Sequence, residues 1–242
     1  MTPEITSPNN EKLVAIRKLA RRRDRERAGR FVAEGEDLLA AADAAGWAPL
    51  ERYCAAGSGL PGVEVAPEAL AAASGLGSGT RTLAVYAQRW AAPAGPLCVH
   101  LHGVRDPGNV GAVLRSALAF GAASVALGPG CADPFGPKAV RASMGAVFAV
   151  PVARAAAADC PGERIALAAR AGEPLRGPAD GAVTVVVGAE REGLPADVIA
   201  ACDRAAHIPI ASESLNAAMA ATVALYELTR GRVDESPRMA AP

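Results

Sequence analysis

Large rings are scarce in this sequence. Phe, Trp and Tyr make up only 4% of the 242 residues, while 51% are apolar, so the interior has to be built from Ala, Val, Leu and Ile. That composition belongs to a folded chain rather than a disordered one, and the length is comfortable for two domains. Long apolar runs are missing as well. The longest, such as Ala182 to Gly188 and Val147 to Val152, are of strand length, far below the roughly 18 residues that span a membrane. The start, Met1-Thr2-Pro3-Glu4, has no basic stretch leading into an apolar one, so no signal peptide is read and a cytoplasmic protein is expected. Cysteines are few and unpaired by pattern: Cys54, Cys98, Cys131, Cys160 and Cys202 are an odd number without a C-x-x-C. Neither a disulfide framework nor a zinc site is expected from them.

Net charge is also absent, at zero for the whole chain, but its distribution is uneven. Between Lys12 and Arg30 nine basic residues face only Asp24 and Glu26, a local balance of +7, which leaves −7 for the remainder. Such a block suits a segment that meets phosphates while the rest of the chain stays soluble. The candidate contacts are Arg17, Lys18, Arg21, Arg22, Arg23, Arg25 and Arg30. The same residues also read as a merely solvated helix face.

Leu13, Ile16, Leu19 and Ala20 recur at helical spacing, which predicts an amphipathic, basic first helix. Arg30 to Gly35 reads as a strand into a turn, and a second helix is expected from about Glu36 to Ala45, ending at Gly46. Short strands follow at Leu50–Ala55, Gly62–Ala66 and Thr82–Gln88. This is a small α/β unit over residues 1–93, closed by a Pro/Gly linker at Ala91–Pro96. From 94 to 242 apolar runs alternate with helical stretches. Leu97–Leu101, Ser124–Leu127, Ala146–Val150, Arg164–Ala168, Val183–Val187 and His207–Ile210 are the strand candidates, and Ala153–Ala158 and Ala217–Ala224 are the helix formers. The fold class is therefore α/β, with a mainly parallel sheet covered by helices on both faces.

Three segments carry chemistry. In the first, Val104-Arg105-Asp106-Pro107-Gly108-Asn109 opens a helix that continues through Gly111 to Arg115, with Asn109 expected near its start. In the second, the strand Val185-Val186-Val187 runs into Gly188-Ala189-Glu190-Arg191-Glu192-Gly193-Leu194; ligands sit at such carboxyl strand ends, where glycine lets backbone amides reach them. Its spacing is neither the dinucleotide G-x-G-x-x-G nor a P-loop, which disfavours a dehydrogenase or a nucleoside triphosphatase. In the third, Ile208-Pro209-Ile210 passes through a polar loop to Ser214-Leu215-Asn216 and a small-residue helix. Ser214 is the expected N-cap, with Asn216 in the first turn. Each segment alone also reads as ordinary helix capping. His100 and His102 share a strand face but find no third ligand nearby, so no metal is expected. Glu190 and Glu192 as paired glycosidase carboxylates fit poorly with a glycine loop.

Together and in this order the segments resemble one family, the SpoU/TrmH RNA 2′-O-methyltransferases. Asn109-x-Gly111-x-x-x-Arg115, Gly188-x-Glu190-x-x-Gly193, and Ile208-Pro209 with Ser214-Leu215-Asn216 match its three motifs, and the likeness covers Leu97 to Thr229. Lys138 to Ala146 is similar to the stretch between the first two motifs, and Phe31 to Gly35 after the arginine-rich helix resembles the family's N-terminal, L30e-like substrate-binding extension.

The resemblance implies a trefoil-knotted methyltransferase domain acting as a homodimer, with S-adenosylmethionine as cofactor. On it, the cofactor-binding residues are Gly188, Ala189, Gly193, Leu194, Ile208, Ile210, Ser214, Leu215 and Asn216. The catalytic group comprises Asn109, Arg115, Glu190, Ser214 and Asn216, with Arg115 brought to the ribose and phosphate of the RNA across the dimer interface. A guanidinium is a poor ready base, so Arg115 either assists deprotonation or clamps the neighbouring phosphate. The expected substrate is 23S ribosomal RNA, with transfer RNA the second choice. Two rivals remain at this point: an RNA-binding protein of the same fold without turnover, and a methyltransferase for a substrate other than RNA.

Overall fold

In the computed structural model the described residues are 4–75, 79–169 and 171–231; residues 1–3 of the leader reading and 232–242 of the C-terminal unit lie outside them. The first part of the chain forms α1 (Glu11–Lys18), α2 (Arg22–Ala28), β1 (Arg30–Glu34), α3 (Glu36–Ala44), β2 (Glu51–Ala55), β3 (Val63–Val65), α4 (Pro67–Ala73) and β4 (Thr82–Ala87). The strands make a four-stranded sheet in the order β1-β4-β2-β3, in which only β2 and β3 run parallel. Leu13, Ile16 and Leu19, the apolar stripe of the basic segment, are buried with Tyr53, Leu70, Leu83 and Val85 on one face of this sheet. The expected single basic helix is interrupted at residues 19–21. Arg25 Nη1 takes both the Leu19 and the Ala20 carbonyls at 2.8 Å, and these are acceptors that a continuous helix would have kept in its own ladder.

The second part contributes β5 (Leu97–Leu101), α5 (Pro107–Ala119), β6 (Ser124–Leu127), α6 (Pro137–Ala142), α7 (Ala146–Ala149), β7 (Val152–Arg154), a 3₁₀ turn (Ala157–Asp159), β8 (Glu163–Leu167), β9 (Glu173–Pro174), β10 (Val183–Val187), α8 (Ala196–Ala200), β11 (Arg204–His207) and α9 (Ala217–Thr229). Its seven strands pair in the order β7-β6-β5-β10-β8-β11-β9, every pairing parallel. Val183, Val185 and Val187 of β10 face the main core with α5 and α9, while Val186 points to the opposite face against Leu194, Val198 and Ile199. A strand apolar on both faces is what a doubly covered parallel sheet requires.

Three sequence expectations are corrected here. Ala146–Val150 is not a strand but the single turn α7, entered through Gly145 at φ 89°; a short apolar run does not distinguish strand from buried helix. Ala153–Ala158 is not helical, because pairing with β6 recruits its start into β7 and only a 3₁₀ turn follows, tertiary pairing overriding alanine's propensity. The last strand is Arg204–His207, not His207–Ile210, so Ile208, Pro209 and Ile210 run beyond the sheet's carboxyl edge.

The scarce aromatics are concentrated where the second part of the chain, through α6 and α7, packs on β1 and α3 of the first. Five of the nine, Phe31, Trp47, Tyr86, Phe135 and Phe148, form one buried cluster, and Trp47 donates its indole N–H to the Phe148 carbonyl at 2.8 Å. Such ring pairs contribute about 0.5–1.5 kcal/mol each beyond their area. The connector that follows β4 is also held: Ala91 N–H bonds Val152 O at 2.8 Å, and Ala94 exchanges two 2.8 Å bonds with the Ser124 hydroxyl.

Candidate active site

The chain runs outward from β5 through β6 to β7, then crosses to β8 on the other side, with β10 inserted between β5 and β8. Ligand crevices form at such reversals, outside the carboxyl ends of the strands. At the ends of β8, β10 and β11 lies a cavity of about 690 Å³, within the usual range for a small-molecule site. Gly188, Ala189, Gly193, Leu194, Ile208, Ile210, Ser214 and Leu215 all line it, as does Glu190.

Backbone geometry explains the glycines. Ala189 and Gly193 exchange two hydrogen bonds, Ala189 N–H to Gly193 O at 3.2 Å and Gly193 N–H to Ala189 O at 3.0 Å, which folds 188–194 into a tight loop. Gly193 turns it at φ 68°, a conformation natural to glycine. A Cβ on Gly188 would lie 2.3 Å from the Gly193 carbonyl carbon and 2.6 Å from Leu194 N, so the loop closes only because that side chain is absent.

At the cavity rim the three segments meet through side chains. Asn109 Nδ2 donates to Glu190 Oε1, and Asn216 Nδ2 donates to Asn109 Oδ1 at 3.1 Å. Asn216, not Ser214, caps α9, its Oδ1 accepting from Ala218 N–H at 2.9 Å and Met219 N–H at 3.3 Å. Asn109 likewise sits inside α5, whose cap is Asp106. The Asp106 carboxylate is held low by the Gly108 N–H and then by Lys138, and its charge favours the helix N-terminus. Asn109 is thereby released from capping to join Glu190. Gly111 permits this placement of α5: a Cβ there would meet Ala139 O at 2.4 Å.

Arg115 stands apart. It is exposed on α5, outside the cavity lining, and its side chain makes no hydrogen bond or ion pair with the described residues. Of the basic segment, Lys18, Arg21, Arg22, Arg23 and Arg30 are exposed and Arg17 is half-buried. Arg25 is the exception: its side chain is 5% exposed and pairs with Asp133 at 2.7 Å, so it faces inward and not toward a solvent-borne partner. Counting charge along the segment did not separate this structural arginine from its neighbours. Leu167, Ala168, Ala169 and Ile199, none of them a sequence candidate for the site, also line the cavity. The position of β8 beside β10 was the signal for the first three, and it exists only once strand order is known. His100 is buried, with its Nε2 3.1 Å from the Ala155 carbonyl, and His102 lies 6.4 Å away, ring to ring.

A glycine-cradled crevice at a parallel-sheet switch point, rimmed by linked amides and a carboxylate, defines a cofactor-binding α/β domain. Residues 96–226 match the SpoU rRNA Methylase family, and the chain belongs to it. An "Uncharacterized tRNA/rRNA methyltransferase" of Mycobacterium tuberculosis is 37% identical over 54% of this chain and 50% of its own length. The 23S rRNA (uridine(2479)-2′-O)-methyltransferase of Streptomyces viridochromogenes is 35% identical over 53% of this chain and 50% of its own. The chain therefore spans about half the length of the curated relatives it matches. Among solved structures, the AdoMet-bound rRNA methyltransferase of Sinorhizobium meliloti is similar over 94% of this chain and 97% of that one, at 30% identity and a TM-score of 0.84.

Proposed function

We propose that this chain is an S-adenosylmethionine-dependent RNA 2′-O-ribose methyltransferase that acts on 23S ribosomal RNA. The observation that carries the reading is the joining of Asn109, Glu190 and Asn216, one residue from each motif, at the rim of the glycine-lined cavity. Capping alone explains none of these contacts between the three segments. The cavity suits the cofactor: the Gly188 cradle leaves backbone within reach, and Leu194, Ile208, Ile210 and Leu215 offer apolar walls. When bound, S-adenosylmethionine supplies an electrophilic methyl group. Gly188, Ile208 and Leu215 hold it through their backbone, and Ser214, Asn109 and Asn216 orient the acceptor ribose. Alignment of this kind supplies several kcal/mol of a barrier.

Arg115 grips the phosphate beside the acceptor and offsets charge on the 2′-oxygen as its proton passes to that phosphate or to water. Its position supports a role toward a second subunit. Arg115 and Leu118 sit one turn apart on the exposed side of α5; α5 meets α9 through Ser116 with Thr222 and Phe120 with Tyr226, and Met219 and Tyr226 of α9 are 62% and 59% exposed. An apolar surface of this kind suits a homodimer in which each Arg115 completes the partner's site. The remaining elements of the proposal are an RNA-binding unit at 1–93 carrying the exposed arginines, a methyltransferase unit at 94–242 with a trefoil-knotted chain path, and a cytoplasmic location. No helix among the described residues is long and apolar enough to cross a membrane. Isothermal titration of the purified chain with S-adenosylmethionine tests the reading: saturable binding is expected, and absence of binding sinks it.

A further inference from the structure

A second cavity, of about 470 Å³, opens at the other end of the same carboxyl edge, over β6 and β7. Its walls come from both parts of the chain. Arg22 of α2 and Trp90 of the connector face Arg154 at the end of β7 and the loop from Gly128 to Pro134. The Arg154 guanidinium lies 4.0 Å above the Trp90 ring, and Trp90 is itself fixed edge-on against Phe135, 5.0 Å between centroids. Glu26 stands between the two arginines, 2.9 Å from Arg22 Nε and 3.6 Å from Arg154 Nη2. Its carboxylate is held low by the Arg22 hydrogen bond. Arg22 Nη1 also reaches the Cys131 carbonyl at 3.3 Å, tying α2 to the loop below.

We infer that this cleft binds a nucleotide of the substrate RNA other than the one methylated, its base on the Arg154–Trp90 stack and its phosphate between Arg22 and Arg154. Single-stranded bases stack on aromatic rings and on guanidinium planes, and arginine pairs bind phosphate in bidentate fashion. A lone carboxylate bridging two guanidiniums occupies the position a phosphate would take. Glu26 meets both arginines through one oxygen, Oε1, and it yields to a phosphodiester, whose two non-bridging oxygens can take one guanidinium each. The inference rests on the proposed RNA substrate and adds a path for its strand. The loop at 128–134 joins the loop at 102–106 through Gly103 N–H to Pro129 O at 3.0 Å and Ala132 N–H to Val104 O at 2.9 Å. That loop in turn meets the cofactor side through Arg105 and Glu192, 3.3 Å apart. Three strand spacings separate β7 from β10, roughly 14 Å, so one RNA strand can lie along the edge from cleft to cavity.

Filter binding of unmodified, in-vitro transcribed 23S rRNA to the full chain tests this, with S-adenosylmethionine titration as the control for an intact fold. Arg154→Ala is expected to weaken RNA binding about tenfold or more and to lower the slope of log affinity against log salt by about one. Arg154→Lys keeps the charge and therefore the slope, but loses the stacked plane and part of the affinity. Glu26→Gln has the opposite sign and tightens binding, because the competing carboxylate is gone. Cofactor affinity should stay at the wild-type value in all three. If Arg154→Ala binds the transcript within twofold of wild type and with an unchanged slope, the cleft is overturned while the proposed function stands. If the wild-type chain binds cofactor but no RNA, both are overturned.

Discussion

Replacing Arg25 by Met removes one partner of a buried ion pair and leaves the other in place. Arg25 donates from Nε to Asp133 Oδ2 at 2.9 Å, and its Nη2 lies 2.7 Å from the same oxygen. Its Nη1 satisfies the Leu19 and Ala20 carbonyls. Both side chains of the pair are 5% exposed. After the substitution Asp133 keeps only the Phe135 N–H, at 2.9 Å on Oδ1, so a carboxylate stays buried without its counter-charge. That situation costs about 3–5 kcal/mol. At about 2–4 °C per kcal/mol for a chain of this size, Tm should fall by roughly 6–20 °C. The double variant Arg25→Met with Asp133→Leu removes both charges and should recover most of the loss, since an apolar pair of similar volume is often no worse than the ion pair it replaces. Thermal unfolding followed by circular dichroism, read as a double-mutant cycle, measures both numbers. A single variant within about 3 °C of wild type, or a double variant less stable than Arg25→Met, would refute the reasoning.

Gly188→Ala should abolish measurable S-adenosylmethionine binding by titration calorimetry while leaving the far-ultraviolet spectrum intact, because the new methyl would lie 2.4 Å from Gly193 O and must open the loop. Arg115→Lys keeps charge but loses the planar fork; turnover should drop with cofactor affinity unchanged, and full activity would count against a phosphate grip. Tyr226→Arg places charge on the exposed α9 surface and should shift the protein to monomer in light scattering, with loss of turnover. Asp203 is drawn down from 3.8 to about 2 by Arg164. A depressed carboxylate contributes stability that is complete above its unfolded value and is lost as pH falls through its folded one. The stability difference between wild type and Asp203→Asn should therefore shrink between pH 3.8 and about 2 in pH-dependent unfolding.

Patterns local to one strand were legible. Leu97–Leu101, Ser124–Leu127 and Val183–Val187 have the bounds their apolar runs announce, since a strand buried on both faces has little freedom to be polar anywhere. The runs at 146–150 and 153–158 misled because their conformation is set by neighbours: Gly145 starts a helical turn in the first, and β6 captures the second. At the site, residue types and order were readable, but partnership was not. Capping preferences favoured Asn109 and Ser214 as caps, whereas Asp106 and Asn216 perform that role, and the Asn109–Glu190–Asn216 chain depends on loops brought together by strand order. Trp90 and Arg154 carried no signal, being 64 residues apart in a connector and at a strand end. Their stacking exists only because the connector is bonded along β7.

The central claim is tested most directly by incubating the purified chain with methyl-labelled S-adenosylmethionine and unmodified 23S rRNA, then mapping ribose methylation along the transcript. The account predicts label on the 2′-oxygen of a defined nucleotide, lost when Gly188 is replaced by Ala. Label on a base, or none from a chain that binds the cofactor, would contradict it.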